Sequence, residues 1–196
     1  MYSIKIIVVG NTRVGKSSIL TRFVKGLFTQ NLESTIGAAF LIKSILLDKQ
    51  QITFHLWDTA GQEQYRSLAP MYYRSATNTL LVYDITSKMS LDDLEYWVSD
   101  IKEKAPHSMN FFVVGNKEDL NNNREVTQEN AKSLSERLGA IYCSEISAKT
   151  GKGVNELFNC IAKNCLLKEP NMYQQEEEIT IETQNSQNGA SIIHCC

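Results

Sequence analysis

Gly10-Asn11-Thr12-Arg13-Val14-Gly15-Lys16-Ser17 matches G-x-x-x-x-G-K-[ST] at every fixed position. The flanks fit the same reading. Ser3–Val9 is nearly all β-branched and apolar, the pattern of a strand buried on both faces, and Ser18–Lys25 reads as a helix. A strand, a glycine-bearing loop and a helix in that order turn backbone N–H groups and a helix N-terminus toward a polyphosphate. Gly10 and Gly15 permit turns and a close approach that a Cβ hinders. Lys16 brings positive charge to the β- and γ-phosphates, and Ser17 offers a hydroxyl oxygen to Mg²⁺, a hard cation. The bland alternative is a glycine-containing turn beside a surface lysine, and the correct flanking elements weigh against it.

Further along, Phe40–Leu47 and Ile52–Asp58 are strand-like runs joined by a connection short enough for an antiparallel hairpin. Thr79–Ile85 and Phe111–Gly115 are short apolar runs of the buried-strand kind, and Ala140–Cys143 is a weaker sixth candidate. Helical spacing separates them. Leu91, Leu94, Trp97, Val98 and Ile101 mark one helix, with Ser90 and Asp93 resembling a capping box at its start. Ala131, Leu134 and Leu138 mark another, with Thr127 as N-cap. Val154, Leu157, Phe158, Ile161, Ala162 and Cys165 mark a third, with a stripe wide enough to pack on a sheet. The alternation predicts an α/β fold: a mostly parallel six-stranded sheet with one antiparallel edge strand and about five flanking helices. Ligands of such sheets bind at the carboxyl ends of the strands.

Three more groups fall at those ends. Asp58 closes the third strand in Trp57-Asp58-Thr59-Ala60-Gly61-Gln62-Glu63, placed to reach Mg²⁺ through water. Asn116-Lys117-Glu118-Asp119 follows the fifth strand, and Ser147-Ala148-Lys149 follows the sixth. One carboxylate accepts the adjacent N1–H and exocyclic amine of guanine as a pair. Adenine offers no such pair, so Asp119 in a desolvated site rejects it.

Composition bounds the rest. The chain has 196 residues, 42% hydrophobic and 21% charged, which suits one globular domain and excludes wholesale disorder. A net charge of −2 argues against a nucleic-acid binder. No apolar run approaches the roughly 18 residues of a membrane span, and the N-terminus has no secretory-signal layout. Five cysteines without C-x-x-C spacing predict neither a disulfide framework nor a zinc site. Residues 1–168 hold all 20 basic and 17 of the acidic residues, and no internal repeat is evident. From Glu169 onward the chain is acidic, polar and free of Lys and Arg, so we expect a domain over 1–168 and a flexible tail over 169–196.

The motifs together resemble the Ras-like small GTPases over residues 4 to about 165. Ile36-Gly37-Ala38-Ala39-Phe40, Trp57–Glu63 and Tyr72-Tyr73-Arg74 are similar to the Rab family, and Ser34–Phe40 and Ser67–Tyr73 to its early-endosomal group. The resemblance implies a P-loop NTPase fold and a GTP/GDP cycle that regulates vesicle traffic. It implies nucleotide binding by Asn11, Thr12, Arg13, Val14, Gly15, Lys16, Ser17, Ser18, Phe28, Ser34, Thr35, Gly61, Asn116, Lys117, Asp119, Ser147, Ala148 and Lys149. Ser17 and Thr35 would hold Mg²⁺, with Asp58 acting through water, and Gln62 would orient the attacking water. Ile36, Gly37, Phe40, Trp57 and Tyr72 would meet effectors, although Phe40 and Trp57 also read as core aromatics. Cys195-Cys196 would carry two prenyl groups; two chains would anchor the tail without the basic cluster it lacks. The implied partners are an exchange factor, a GTPase-activating protein, a GDP dissociation inhibitor, a Rab escort protein, a geranylgeranyl transferase and effectors. The implied location is the cytoplasmic face of intracellular membranes, in particular early endosomes, with a cytosolic pool.

Thr12 and Arg13 stand where many relatives carry smaller residues, and a branched Thr12 would crowd Gln62 and slow hydrolysis. One rival reading is therefore a GTP-locked interaction module. Another is an ATP-using P-loop enzyme such as a small kinase, which Asp119 opposes.

Overall fold

The computed structural model describes residues 2–30, 35, 38–59, 69–74, 76–106 and 109–168. Six strands form one sheet: β1 (Tyr2–Val9), β2 (Ala38–Leu47), β3 (Gln50–Thr59), β4 (Asn78–Asp84), β5 (Asn110–Asn116) and β6 (Tyr142–Glu145). Their spatial order is β2-β3-β1-β4-β5-β6. All neighbours are parallel except β2 and β3, as the hairpin reading requires. That hairpin turns on Asp48 and Lys49, both at positive φ (50° and 67°), the signature of a tight two-residue turn whose twist matches the strands.

Six α-helical segments accompany the sheet among the described residues: α1 (Lys16–Lys25), α2 (Ala69–Tyr73), α3 (Lys88–Asp92), α4 (Leu94–Lys104), α5 (Gln128–Leu138) and α6 (Val154–Lys168). A 3₁₀ segment covers Glu118–Asn123. Alternating residues of the central strands feed two cores. Ile4, Ile6, Val8, Phe54 and Leu56 meet α1 and α6, where Phe23 stacks on Phe158 at 3.6 Å and Phe54 meets both rings edge-on. Ile7, Val9, Leu81, Tyr83 and Val113 meet α3, α4 and α5 through Leu91, Leu94, Trp97, Ile101 and Leu134. Burying one such side chain contributes about 1.5–3 kcal/mol. A helix of α1's length is marginal alone in water, so this packing holds it.

Two local expectations are corrected. Ser90 and Asp93 form no capping box. The N-cap is Ser87, whose hydroxyl accepts from the Ser90 N–H, while Ser90 is buried inside α3 and its hydroxyl accepts from the Asp84 N–H at 2.9 Å. The sixth strand is Tyr142–Glu145 rather than Ala140–Cys143. The α5 C-terminus claims Ala140, whose N–H donates to Ser135 O, so pairing with β5 begins later.

The chain leaves β1 in the middle of the sheet. It builds β3 and β2 on one side, then β4, β5 and β6 on the other. The carboxyl ends of all five parallel strands therefore share one edge. β2, running the opposite way, begins there, with Ala38 opposite Thr59.

Candidate nucleotide site

At that edge lies a cleft of about 420 Å³. Its walls are Thr12, Arg13, Gly15, Lys16, Ser17 and Ser18 from the P-loop, Phe28 and Gln30, Thr35 and Thr59, and Asn116, Lys117, Asp119, Leu120, Ala148 and Lys149. The two fixed glycines are required by what surrounds them. A Cβ at Gly10 would lie 2.2 Å from Val82 O, and one at Gly15 would lie 2.2 Å from Asn116 Nδ2. Both also sit at positive φ, where other residues are strained.

At one end, Lys16 is buried and its Nζ donates to Gly10 O and Asn11 O, both at 2.9 Å. Burial lowers its pKa to about 8, with the Asp58 carboxylate pulling it back up. The hydroxyls of Ser17 and Thr35 lie 2.9 Å apart, and Thr35 donates to Asp58 Oδ2 at 3.5 Å. Asp58 Oδ1 is buried with no hydrogen-bond partner among the described residues. Burial pushes this carboxyl up, while Ser17, Lys16 and Thr35 hold it down in part. The donors are hard oxygens around an orphaned carboxylate atom. That set fits Mg²⁺, which is usually held by one or two carboxylates together with substrate phosphates. Among the described residues no group of three or more His, Cys, Asp or Glu forms a separate metal cage.

At the other end three loops are tied together. The Asn116 side chain is buried, donates to Val14 O at 2.9 Å and accepts from the Ala148 N–H at 3.0 Å. Lys117 pairs with Asp84 at 2.5 Å, and Asp84 also accepts from the Thr86 N–H and hydroxyl. Ser147 donates to Asp119 Oδ1 at 2.6 Å, and Lys149 stands 3.8 Å from Oδ2. Asp119 thus lines the cleft with its carboxylate oriented from behind. Phe28 is half-buried on the same wall.

Of the residues expected at the site, Asn11, Val14, Asp58 and Ser147 do not line the cleft; Asp58 and Ser147 are buried beside it. Val14 is core, and the Asn11 side chain turns away toward α4. Ser34, Ile36, Gly37, Gly61, Gln62, Cys195 and Cys196 lie outside the described residues. Phe40, Trp57 and Tyr72 form a continuous aromatic group, with centroids 4.8 and 5.2 Å apart along the chain of contacts. Phe40 is 45% exposed, and the other two lean on the core while remaining half-buried. Two contributors lie outside the sequence expectations. Asp84 carries the same signal as Asp58, a carboxylate at a strand's carboxyl end. Arg22 has no local signal; it donates to Ala148 O, Lys149 O and Gly26 O at 2.6–2.8 Å.

A strand–P-loop–helix unit facing a braced carboxylate across one cleft defines a P-loop nucleotide hydrolase of the GTPase kind. Comparison with known proteins agrees. The Ras family model matches residues 5–167. The chain is 41% identical over 192 residues to the Ras-related protein Rab5 of Nicotiana tabacum, covering 98% of this chain and 94% of that relative. The chain belongs to the Ras family of small GTPases, within its Rab branch and early endosomal group. It is a GTP hydrolase that regulates endosomal vesicle traffic.

Proposed function

We propose that residues 1–168 form the switching domain, with Asp119 selecting guanine and Lys16 holding the β- and γ-phosphates. The observation that carries this reading is the Ser147–Asp119 bond at 2.6 Å, in the same cleft that holds Lys16 and Ser17 at its other end. A carboxylate oriented in advance accepts the paired donors of guanine without reorganising. Ser17 and Thr35 would hold Mg²⁺, with Asp58 acting through water, and the ion when bound would neutralise phosphate charge. Gln62 orients the attacking water, and the Gly61 N–H senses the γ-phosphate. Thr35 and Gly61 release their segments when that phosphate leaves. Slow intrinsic turnover then depends on an activating protein, whose arginine typically adds roughly 10³–10⁵ to the rate. Arg22 supplies no finger in cis, because its guanidinium is occupied by three carbonyl oxygens.

Phe40, Trp57 and Tyr72, with Ile36 and Gly37, form the effector platform; exposed aromatics of this kind dominate interfaces. Cys195 and Cys196 carry two prenyl groups, handled by an escort protein and a geranylgeranyl transferase. A GDP dissociation inhibitor maintains a cytosolic pool, and an exchange factor reloads the site on early endosomal membranes.

The test is single-turnover hydrolysis in Mg²⁺ with GTP and ATP in competition and Gln62→Leu as control. GTP preference with slow conversion to GDP, lost in the variant, is expected. ATP preference would overturn the base-site reading. GTP binding without turnover, even with an activating protein, would favour the locked module instead.

A further inference from the structure

The side chain of Asn11 has no place on the cleft wall, yet both of its polar atoms are engaged. Nδ2 donates to Asp93 Oδ2 at 2.5 Å, and Oδ1 accepts from Trp97 Nε1 at 3.4 Å. These partners are more than 80 residues away in sequence and sit four apart at the start of α4, so they project from one helix face. Asp93 stands at the break between α3 and α4, where an aspartate ordinarily caps the helix. Here its side chain makes no capping bond and is directed at the P-loop instead. Trp97 is 2% exposed, so its indole is fixed by the core around it. The Asn11 peptide held in this way is one of the two whose carbonyls accept from Lys16 Nζ.

We propose that Asp93 and Trp97 are positioning residues for Lys16: through Asn11 they fix the first peptides of the P-loop and thereby set affinity for the β- and γ-phosphates. The inference rests on the nucleotide-binding reading above. The amide of Asn11 suits the role because it presents a donor to the carboxylate and an acceptor to the indole N–H. A carboxylate at position 11 would face that of Asp93, and an alanine would leave Asp93 and Trp97 without this partner.

The experiment measures equilibrium affinity of the full chain for GTP, GDP and GMP in Mg²⁺. Asn11→Ala, Asp93→Ala, Asn11→Asp and the exchange variant Asn11→Asp/Asp93→Asn are compared with wild type. GMP lacks the phosphates that Lys16 reaches, so it separates mispositioning of Lys16 from general loosening of the fold. Asn11→Ala, Asp93→Ala and Asn11→Asp are expected to bind GTP and GDP about tenfold more weakly, with GMP within about twofold of wild type. The exchange variant restores an amide–carboxylate pair and is expected to recover most of the loss. Unchanged GTP and GDP affinity, an equal loss for GMP, or no recovery on exchange would each overturn the proposal. A wild-type chain that fails to prefer GTP would instead overturn the reading on which it rests.

Discussion

Asn116 joins the two ends of the cleft: its side-chain amide donates to Val14 O, 102 residues away in sequence, while its oxygen accepts from the Ala148 N–H. The P-loop and the base loop therefore share one buried amide. Asn116→Ala strands a buried carbonyl and a buried N–H together. Each unsatisfied group costs about 1–3 kcal/mol, so the variant is expected to lose about 2–6 kcal/mol of stability and release GDP at least tenfold faster. Urea unfolding and release of a fluorescent GDP analogue measure the two effects. A stability loss with unchanged release would show that the link does not couple the loops.

Arg22 supports the base loop from α1. Its guanidinium reaches Ala148 O, Lys149 O and Gly26 O with three separate nitrogens. A lysine places one ammonium where that fork spans three acceptors. Arg22→Lys is expected to cost about 1–2 kcal/mol and to speed GDP release by roughly tenfold. The ratio of GTP to GDP affinity should stay at its wild-type value, because the role proposed for this loop is toward the base and not the γ-phosphate. Thermal unfolding and release kinetics for both nucleotides test this.

These two residues also mark the limit of what the sequence makes legible. Lys16, Ser17, Asp58, Asn116, Asp119 and Ser147 sit in short runs at strand ends, so spacing alone brings them to one edge of a parallel sheet. Arg22 and Asp93 act across 126 and 82 residues, and no local pattern points to such partners. The central strands were equally plain, since burial on both faces leaves an unbroken apolar run. The bounds of β6 are not legible because its four residues are all only partly buried and carry no such run. The helix start near residue 90 is ambiguous in the sequence because Ser87 and Ser90 offer the same hydroxyl. Only the buried link from Ser90 to Asp84 distinguishes the core residue from the cap.

Glu145 gives the domain an acid-sensitive brace beside the base loop. Burial pushes its carboxyl up, but the Arg124 fork at 2.6 and 2.7 Å and the Gln128 amide outweigh burial and hold it below the usual 4.5. A carboxyl lowered in the folded state contributes stability above its unfolded value. That contribution is lost as pH falls through the lowered one. Glu145→Gln is expected to cost about 1–3 kcal/mol at neutral pH, and its gap to wild type should close as the medium is acidified below about pH 4.5. Unfolding free energies of both proteins across this range decide it; a gap that stays constant would remove Glu145 from the acid dependence.

Thr12 tests whether the P-loop restrains turnover. It is exposed and lines the cleft, and its backbone is not at positive φ, so a glycine there relieves no strain. On the proposed mechanism, in which Gln62 orients the attacking water, Thr12→Gly removes a branched side chain from the cleft wall. Small displacements of reacting groups carry large rate penalties, so intrinsic single-turnover hydrolysis is expected to rise by about tenfold. Stability should move the other way, falling by about 0.5–1 kcal/mol through the added backbone freedom of glycine. A faster enzyme that is also slightly less stable isolates the steric effect, since loosening of the fold gives no reason for hydrolysis to accelerate. An unchanged rate with the same stability loss would show that Thr12 does not restrain turnover.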